Sequence, residues 1–232
     1  MFRTIIVFFV SCIPMLAIGS TTIDGTRVVF KESDKEAIVK VNNIGATPVV
    51  LQGWIDKGNA KIDPTNEKVP FIISPPINRI NAGKSQTFRI RYTGGASSDK
   101  ESLFWMNVLE IPAQIEDKMP TNFLQIAFRS RLKLFFRPKN LKGEPVLATK
   151  NAKWSISNGI LHVSNNAPYY INLLGVKKNS GRTYETEMIP PFYSGVVPTP
   201  GNGISTFQSK EKFSFDYIND WGAVVNVKAT VE

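Results

Sequence analysis

A fifteen-residue run near the middle of the chain alternates between apolar and other side chains and contains no glycine or proline. It extends from Phe123 to Arg137 and reads FLQIAFRSRLKLFFR, with every second residue from Leu124 apolar except Ser130. A period of two predicts a β-strand over 123–136, far longer than the typical strand of about 5–6 residues. Two interpretations remain open: a central strand that bends into a linker, or a strand whose exposed edge pairs with a partner.

The rest of the chain also predicts an all-β protein. Short runs of β-branched and aromatic residues alternate with Gly, Pro and Asn turns, and no long stretch has a helical period of 3.6 residues. Asn158-Gly159 suits the type I′ turn of a β-hairpin. The predicted strands are 26–31, 36–42, 48–56, 71–74, 85–92, 103–111, 123–136, 153–157, 160–164, 169–176, 212–217 and 223–231.

The pattern breaks near Arg137-Pro138-Lys139-Asn140 and then restarts. Two sandwiches of about 100 residues each account for the length, so we predict an N-terminal domain over 20–138 and a C-terminal domain over 139–232. Residues 1–19 combine the basic Arg3, an apolar run and small residues before Ser20. This pattern predicts a cleaved secretory signal peptide. The alternative, an N-terminal membrane anchor, is disfavoured because the apolar run is too short to span a bilayer and is broken by proline.

Export changes what the composition implies. The formal net charge of 28 − 19 = +9 becomes 27 − 19 = +8 once Arg3 is removed, and the single cysteine, Cys12, leaves with the signal. The mature chain then has no disulfide, and one His excludes a conventional protein-supplied zinc site, so no metal or cofactor is expected. The positive charge indicates an anionic partner or a basic binding cleft, and export argues against nucleic acid as the partner.

An enzyme and a carbohydrate-binding protein are two function classes to consider for an exported chain of this composition. An enzyme is disfavoured because the only imidazole, His162, lies in a predicted strand as an ordinary alternating residue, and no glycine-rich phosphate loop precedes a helix. A secreted carbohydrate-binding sandwich stays open as the alternative, since four Trp residues could stack on sugars. Trp54 and Trp105 lie within predicted strands, and we expect both to be buried in the core.

Several ordered motifs resemble one family. The segment 99–112, DKESLFWMNVLEIP, closely resembles the signature of PapD-like periplasmic chaperones of the chaperone/usher pilus pathway. The similarity extends over the whole mature chain. Further matches are Thr26-Arg27, Ser74-Pro75-Pro76, 124–127 (LQIA), 132–138 (LKLFFRP) and 217–222 (YINDWG).

The resemblance implies two immunoglobulin-like domains in a boomerang arrangement and a non-enzymatic function in the periplasm of a Gram-negative cell. Such chaperones bind new pilus (fimbrial) subunits, whose fold lacks its last strand, and lend them a donor strand before delivery to an outer-membrane usher. The resemblance assigns the donor side chains to Leu124, Ile126 and Phe128. The alternative is that these three residues belong to the chaperone's own core.

The same resemblance assigns Arg27 and Lys133 to a cleft pair that anchors the C-terminal carboxylate of the subunit. Lys133 has opposite parity to Leu124 along the strand. Either twist or a bulge reconciles the two, or the cleft is reached from the other face. Glu101, Arg137 and Asp220 match a salt-bridge network between the domains, which is expected to fix their relative orientation.

Weaker matches concern turns and contacts with other proteins. Pro75-Pro76 is expected to contain a cis peptide bond, and Pro48 and Val50 match usher contacts, although Pro48 could instead protect an edge strand. The short segment before Leu124 and the absence of a cysteine pair resemble the short-loop subfamily. An unoccupied donor edge also predicts self-association of the free chaperone.

Overall fold

The computed structural model describes residues 20–61, 67–112, 126–201, 203–205 and 207–232. These residues form two β-sandwiches, which confirms the predicted all-β class. One apolar core is drawn from residues between Val28 and Phe136, and a second from residues between Trp154 and Val231. The predicted boundary at 138/139 lies in the segment between these two cores.

The N-terminal sandwich packs two sheets face to face. Among the described residues, one sheet has the strand order β1-β3-β7-β5 and the other has the order β2-β9-β8-β4-β6. The strands alternate buried and exposed positions, as expected when one face of each sheet covers a core. Their bounds are β1 Thr21–Ile23, β2 Arg27–Lys31, β3 Ala37–Asn43, β4 Val49–Asp56, β5 Phe71–Ser74, β6 Ile77–Ile80, β7 Ser85–Tyr92, β8 Ser102–Pro112 and β9 Phe128–Arg137.

The C-terminal sandwich has, in the described part of the chain, sheets of order β10-β11-β14 and β13-β12-β15-β16. The predicted hairpin is confirmed: β10 pairs with β11, and Asn158 and Gly159 both have positive φ, as a type I′ turn requires. The strands are β10 Lys153–Ser157, β11 Ile160–Ser164, β12 Leu173–Lys178, β13 Thr183–Glu185, β14 Ser194–Val196, β15 Lys212–Ile218 and β16 Val224–Thr230.

A short helix, α1 (Pro145–Lys150), precedes the second core and was not predicted. Proline at its first position suits a helix start, because the missing N–H has no partner there in any helix. Six residues are too few to give a recognisable helical period. In the ranges that the structure describes, no helix is long and apolar enough to cross a bilayer.

Three expectations about strands and turns need correction or detail. The strand predicted from Phe123 begins at Phe128; Ile126 and Ala127 are not in a strand, and 123–125 lie outside the described residues. The strand predicted from Tyr169 begins at Leu173, because Ile171 makes only an isolated bridge. The cis peptide bond of the proline turn joins Ser74 to Pro75.

Candidate functional site

In the part of the chain that the structure describes, one edge of β9 is unpaired over half of its length. The strand pairs with β8 from Phe128 to Phe136, but its other neighbour, β2, begins only at Arg27, opposite Lys133. Among the described residues no strand covers the β2 side of 128–132. The amides and carbonyls on this side are therefore a ready template for a strand from another chain.

The two faces of β9 have different chemistry. Leu132, Leu134 and Phe136 point into the N-terminal core, so Phe128 shares their face, whereas Lys133 lies on the opposite face. Pairing with β8 keeps one register from Phe128 to Phe136, with no bulge. Phe128 and Lys133 therefore lie on opposite faces of β9, and no bulge brings them to the same face. This arrangement favours the other option, a cleft that is reached from the outer face of the sheet.

The predicted donor side chains that are described lie outside the chaperone's core. Phe128 is 57% exposed and Ile126 is 51% exposed. Leu124 lies outside the described residues. For Ile126 and Phe128 the alternative of burial in the chain's own core is wrong, because the first residue of β9 that belongs to the core is Leu132. Two large apolar side chains thus flank a free strand edge.

Arg27 and Lys133 stand side by side at the point where the free edge ends. They are direct partners in the parallel β2–β9 pairing, and both are half-buried. Arg27 Nη1 donates to the backbone oxygen of Ile218 at 3.4 Å, and its buried Nε has no acceptor among the described residues. Neither side chain takes part in a salt bridge within the described part of the chain.

Burial works against both positive charges. Burial lowers the pKa of Arg27, which the charge of Asp220 opposes only in part. Burial also lowers the pKa of Lys133, and the neighbouring charge of Arg27 adds to that shift. Two partly desolvated cations, neither of them in a salt bridge among the described residues, form a site that a carboxylate would stabilise through charge-assisted hydrogen bonds.

The outer face of the free segment is held by a polar network that sequence reasoning missed. Arg129 and Arg131 form ion pairs with the buried carboxylate of Asp56 at 3.2 and 2.9 Å. Asn107 Oδ1 accepts hydrogen bonds from both arginines, and its Nδ2 donates to Asp56 at 2.8 Å. Alternating basic residues were visible in the sequence, but their partners on β4 and β8 become neighbours only through sheet pairing.

The two tryptophans of this face are not in the core, contrary to expectation. Trp54 and Trp105 are only partly buried, because odd and even positions of β4 and β8 face opposite sides of the sheet. The guanidinium of Arg129 lies 4.8 Å from the ring centroid of Trp54, and that of Arg131 lies 4.8 Å from that of Trp105. These cation–π contacts cover two of the four tryptophan rings that the carbohydrate-binding alternative would use.

Arg137, at the end of β9, connects the two domains. It donates to Glu101 Oε1 at 2.8 and 3.0 Å and to Asp220 at 2.8 and 3.1 Å. Glu101 in turn accepts a hydrogen bond from the backbone amide of Tyr170 at 2.9 Å. Burial alone would lower the pKa of Arg137, but hydrogen bonds to Asp220 and the charge of Glu101 together raise it. The three predicted network residues are thus in direct contact.

The residues matched to usher contacts lie far along the same sheet. Pro48 immediately precedes β4, and Val50 lies within it, paired with Arg79 of β6 and Ile111 of β8. Because β4 has a neighbour on each side here, the interpretation of Pro48 as protection of an edge strand is wrong. The structure brings neither residue to the Arg27–Lys133 pair.

Comparison with known families gives two matches that together span most of the chain. Residues 20–142 match a family described as pili and flagellar-assembly chaperone, PapD N-terminal domain. Residues 147–229 match a family described as pili assembly chaperone PapD, C-terminal domain.

Individual relatives agree with these matches. The chaperone protein FimB/FhaD of Bordetella pertussis is 38% identical over 222 residues, covering 92% of this chain and 88% of the relative. The solved YadV chaperone structure is 36% identical, covers 91% of this chain and all of that chain, and has a TM-score of 0.74. A solved complex of the Salmonella enterica SafA pilin with the SafB chaperone gives 26% identity, coverage of 92% and 97%, and a TM-score of 0.75.

Proposed function

Because the chain belongs to the PapD family of pili assembly chaperones, we propose that it is a periplasmic chaperone that binds pilus subunits by donor-strand complementation. The observation that carries the proposal is the free edge of β9, which ends at Arg27 and Lys133, two cations that form no salt bridge with any described residue. This family is not a class of enzymes, and the assignment favours the chaperone over a carbohydrate-binding protein. Residues 1–19, outside the described residues, serve as the export signal.

The pairing of β2 with β9 defines how a guest strand would lie. A strand added beside 128–132 occupies the same position in the sheet as β2 and is in line with it. If the guest runs parallel to β9, its C-terminal end faces Arg27 and Lys133. A free C-terminal carboxylate bound by these cations would therefore fix both the direction and the register of the guest.

The exposed apolar side chains supply the second part of the interaction. Backbone hydrogen bonds to the free edge provide affinity for any extended strand, whereas alternate side chains fill pockets of the partner. Ile126 and Phe128, together with Leu124, would enter the groove left by the missing strand of the subunit. Burying side chains of this size contributes about 1.5–3 kcal/mol each before ordering costs are subtracted.

We expect Ile126→Ala and Phe128→Ala each to weaken the complex with a co-expressed pilus subunit by about tenfold or more. The estimate follows from the loss of about 1.5–3 kcal/mol of apolar burial per side chain, with 1.4 kcal/mol per tenfold change. Both side chains are exposed in the free protein, so its melting temperature should not change. The dissociation constant of the purified complex is the measurement.

Ile38→Ala is the matched control for Ile126→Ala. Ile38 is 64% exposed on the outer face of the other N-terminal sheet, away from β9. It loses the same atoms from a similarly exposed site, so the complex should keep its affinity. Equal affinities for the Ile126 and Ile38 variants would count against the donor assignment.

The same proposal includes delivery to an outer-membrane usher, with Pro48 and Val50 as contacts, and self-association of the free chaperone through the uncovered edge. It also includes membership of the short-loop subfamily, whose defining segment lies outside the described residues. Glu101, Arg137 and Asp220 are proposed to hold the domains so that the cleft keeps its shape.

A further inference from the structure

A cavity of about 150 Å³ lies in the C-terminal domain, and one of its lining residues, Ile218, contacts Arg27. It lies between α1 and the turn that follows β15. The wall includes aromatic, aliphatic and polar groups. The lining residues that matter here are Val146, Thr149, Tyr170, Asn172, Ile218 and Trp221.

Contacts with the N-terminal domain hold one wall of this cavity in place. Asp220 in the turn is bound by Arg137, and Gly222 packs so closely on Thr26 that an added Cβ would lie 2.5 Å from its Oγ1. Gly222 also has a φ of +83°, which disfavours any other residue. The wall is therefore fixed relative to the anchor pair before any partner binds.

One residue, Ile218, belongs to both the cavity and the surroundings of the proposed anchor. Ile218 lines the cavity, and its backbone oxygen accepts the hydrogen bond from Arg27. A chain that ends with its carboxylate at Arg27 brings its last residue near Ile218, and therefore near one wall of the cavity. Trp221, which is 85% exposed, stands at this opening and adds an uncovered aromatic surface.

The chemistry of the lining defines the occupant. The side-chain oxygen of Asn172 is buried and has no hydrogen-bond donor among the described residues. A buried acceptor without a donor costs free energy, which a ligand recovers if the Asn172 side chain turns its oxygen toward the cavity. A cavity of about this size holds one benzene-sized group. The site thus fits one side chain with an apolar or flat body and a terminal N–H or O–H donor.

We propose that this cavity binds one side chain of the captured pilus subunit, close to the subunit's C-terminal carboxylate. The occupant is a glutamine, asparagine or tyrosine side chain that donates a hydrogen bond to Asn172 and lies against Tyr170 and Trp221. The proposal rests on the proposed function and adds to it a specificity pocket in the C-terminal domain.

The test uses a pilus subunit that the wild-type protein carries as a soluble complex when the two are co-expressed. Val146→Phe fills the cavity, and we expect the complex to dissociate about tenfold faster or more, as for other central interface contacts. Leu147→Phe is the control, because Leu147 is exposed on the same helix and does not line this cavity. Trp221→Ala should also weaken the complex, and its exposed position removes any concern about folding.

Asn172→Leu tests the polar part of the proposal, since leucine is similar in size but accepts no hydrogen bond. Faster dissociation of this variant is expected, and unchanged or slower dissociation would overturn the assignment of a donor-bearing occupant. If the wild-type complex depends on Arg27 while Val146→Phe and Trp221→Ala leave it unchanged, the pocket is wrong and the chaperone function stands. If the wild-type protein forms no complex with any pilus subunit, both are wrong.

Discussion

Replacing both Arg27 and Lys133 by alanine should abolish stable complexes with pilus subunits. A carboxylate drawn into the cleft would lose its hydration and gain no cation in return. Removing one partner of a buried, hydrogen-bonded charge pair costs about 2–5 kcal/mol, so each substitution alone should weaken binding by about 30-fold to several thousand-fold. Co-purification of the subunit and titration of the purified proteins provide the measurement.

The free protein should tolerate this change. Burial lowers the pKa of both cations, and in the described part of the chain neither has a salt-bridge partner, so alanine removes an electrostatic cost. The melting temperature should therefore stay the same or rise. Lys31→Ala with Lys40→Ala is the matched control, since both lysines are exposed on strands of the same domain and the net charge falls equally. Equal affinities for the two double variants would contradict the carboxylate anchor.

Arg137→Ala should lower the free energy of unfolding by about 3–5 kcal/mol at neutral pH. The side chain of Glu101 is almost fully buried and would lose the guanidinium that now compensates its charge. Removing one member of a buried ion pair has a cost of this size. Urea denaturation of the purified variant measures the change.

The pH dependence of this variant separates a charge effect from a packing effect. Burial raises the pKa of Glu101 even with Arg137 in place. Without Arg137 that pKa rises further above the unfolded value of about 4.3. The variant is therefore least impaired below the unfolded pKa and loses stability as the pH rises through the folded pKa. Adding Glu101→Gln should recover much of the loss at pH 7; an identical loss at pH 4 and pH 7 would indicate packing instead.

Local pattern predicted the parts of the fold that local interactions decide. The period of two located most strands, and Asn158-Gly159 located a hairpin, because side-chain alternation and positive φ depend on adjacent residues. The same pattern failed at the beginning of β9. Ile126 and Ala127 continue the alternation but lie outside the strand, and β9 begins at Phe128, the first residue that pairs with β8.

The candidate site was only partly predictable for the same reason. Arg27 and Lys133 were assigned through family motifs, and the parallel pairing of β2 with β9 is what makes them neighbours. Asp56 gave no signal in the sequence because its partners, Arg129 and Arg131, are more than seventy positions away. The cavity next to Ile218 forms between α1 and the turn that follows β15, and no local sequence pattern predicts that these two elements are neighbours.

Hydrogen exchange at the backbone amides of 128–132 tests the central claim, that the free edge of β9 completes the fold of another protein. Alternate amides of this segment face the uncovered side and should exchange rapidly in the free chaperone at a concentration where it is monomeric. With a pilus subunit bound, they should become strongly protected, while the amides of edge strand β16 (Val224–Thr230) should not change. Rapid exchange of 128–132 in a stable, purified complex would contradict donor-strand complementation by this chain.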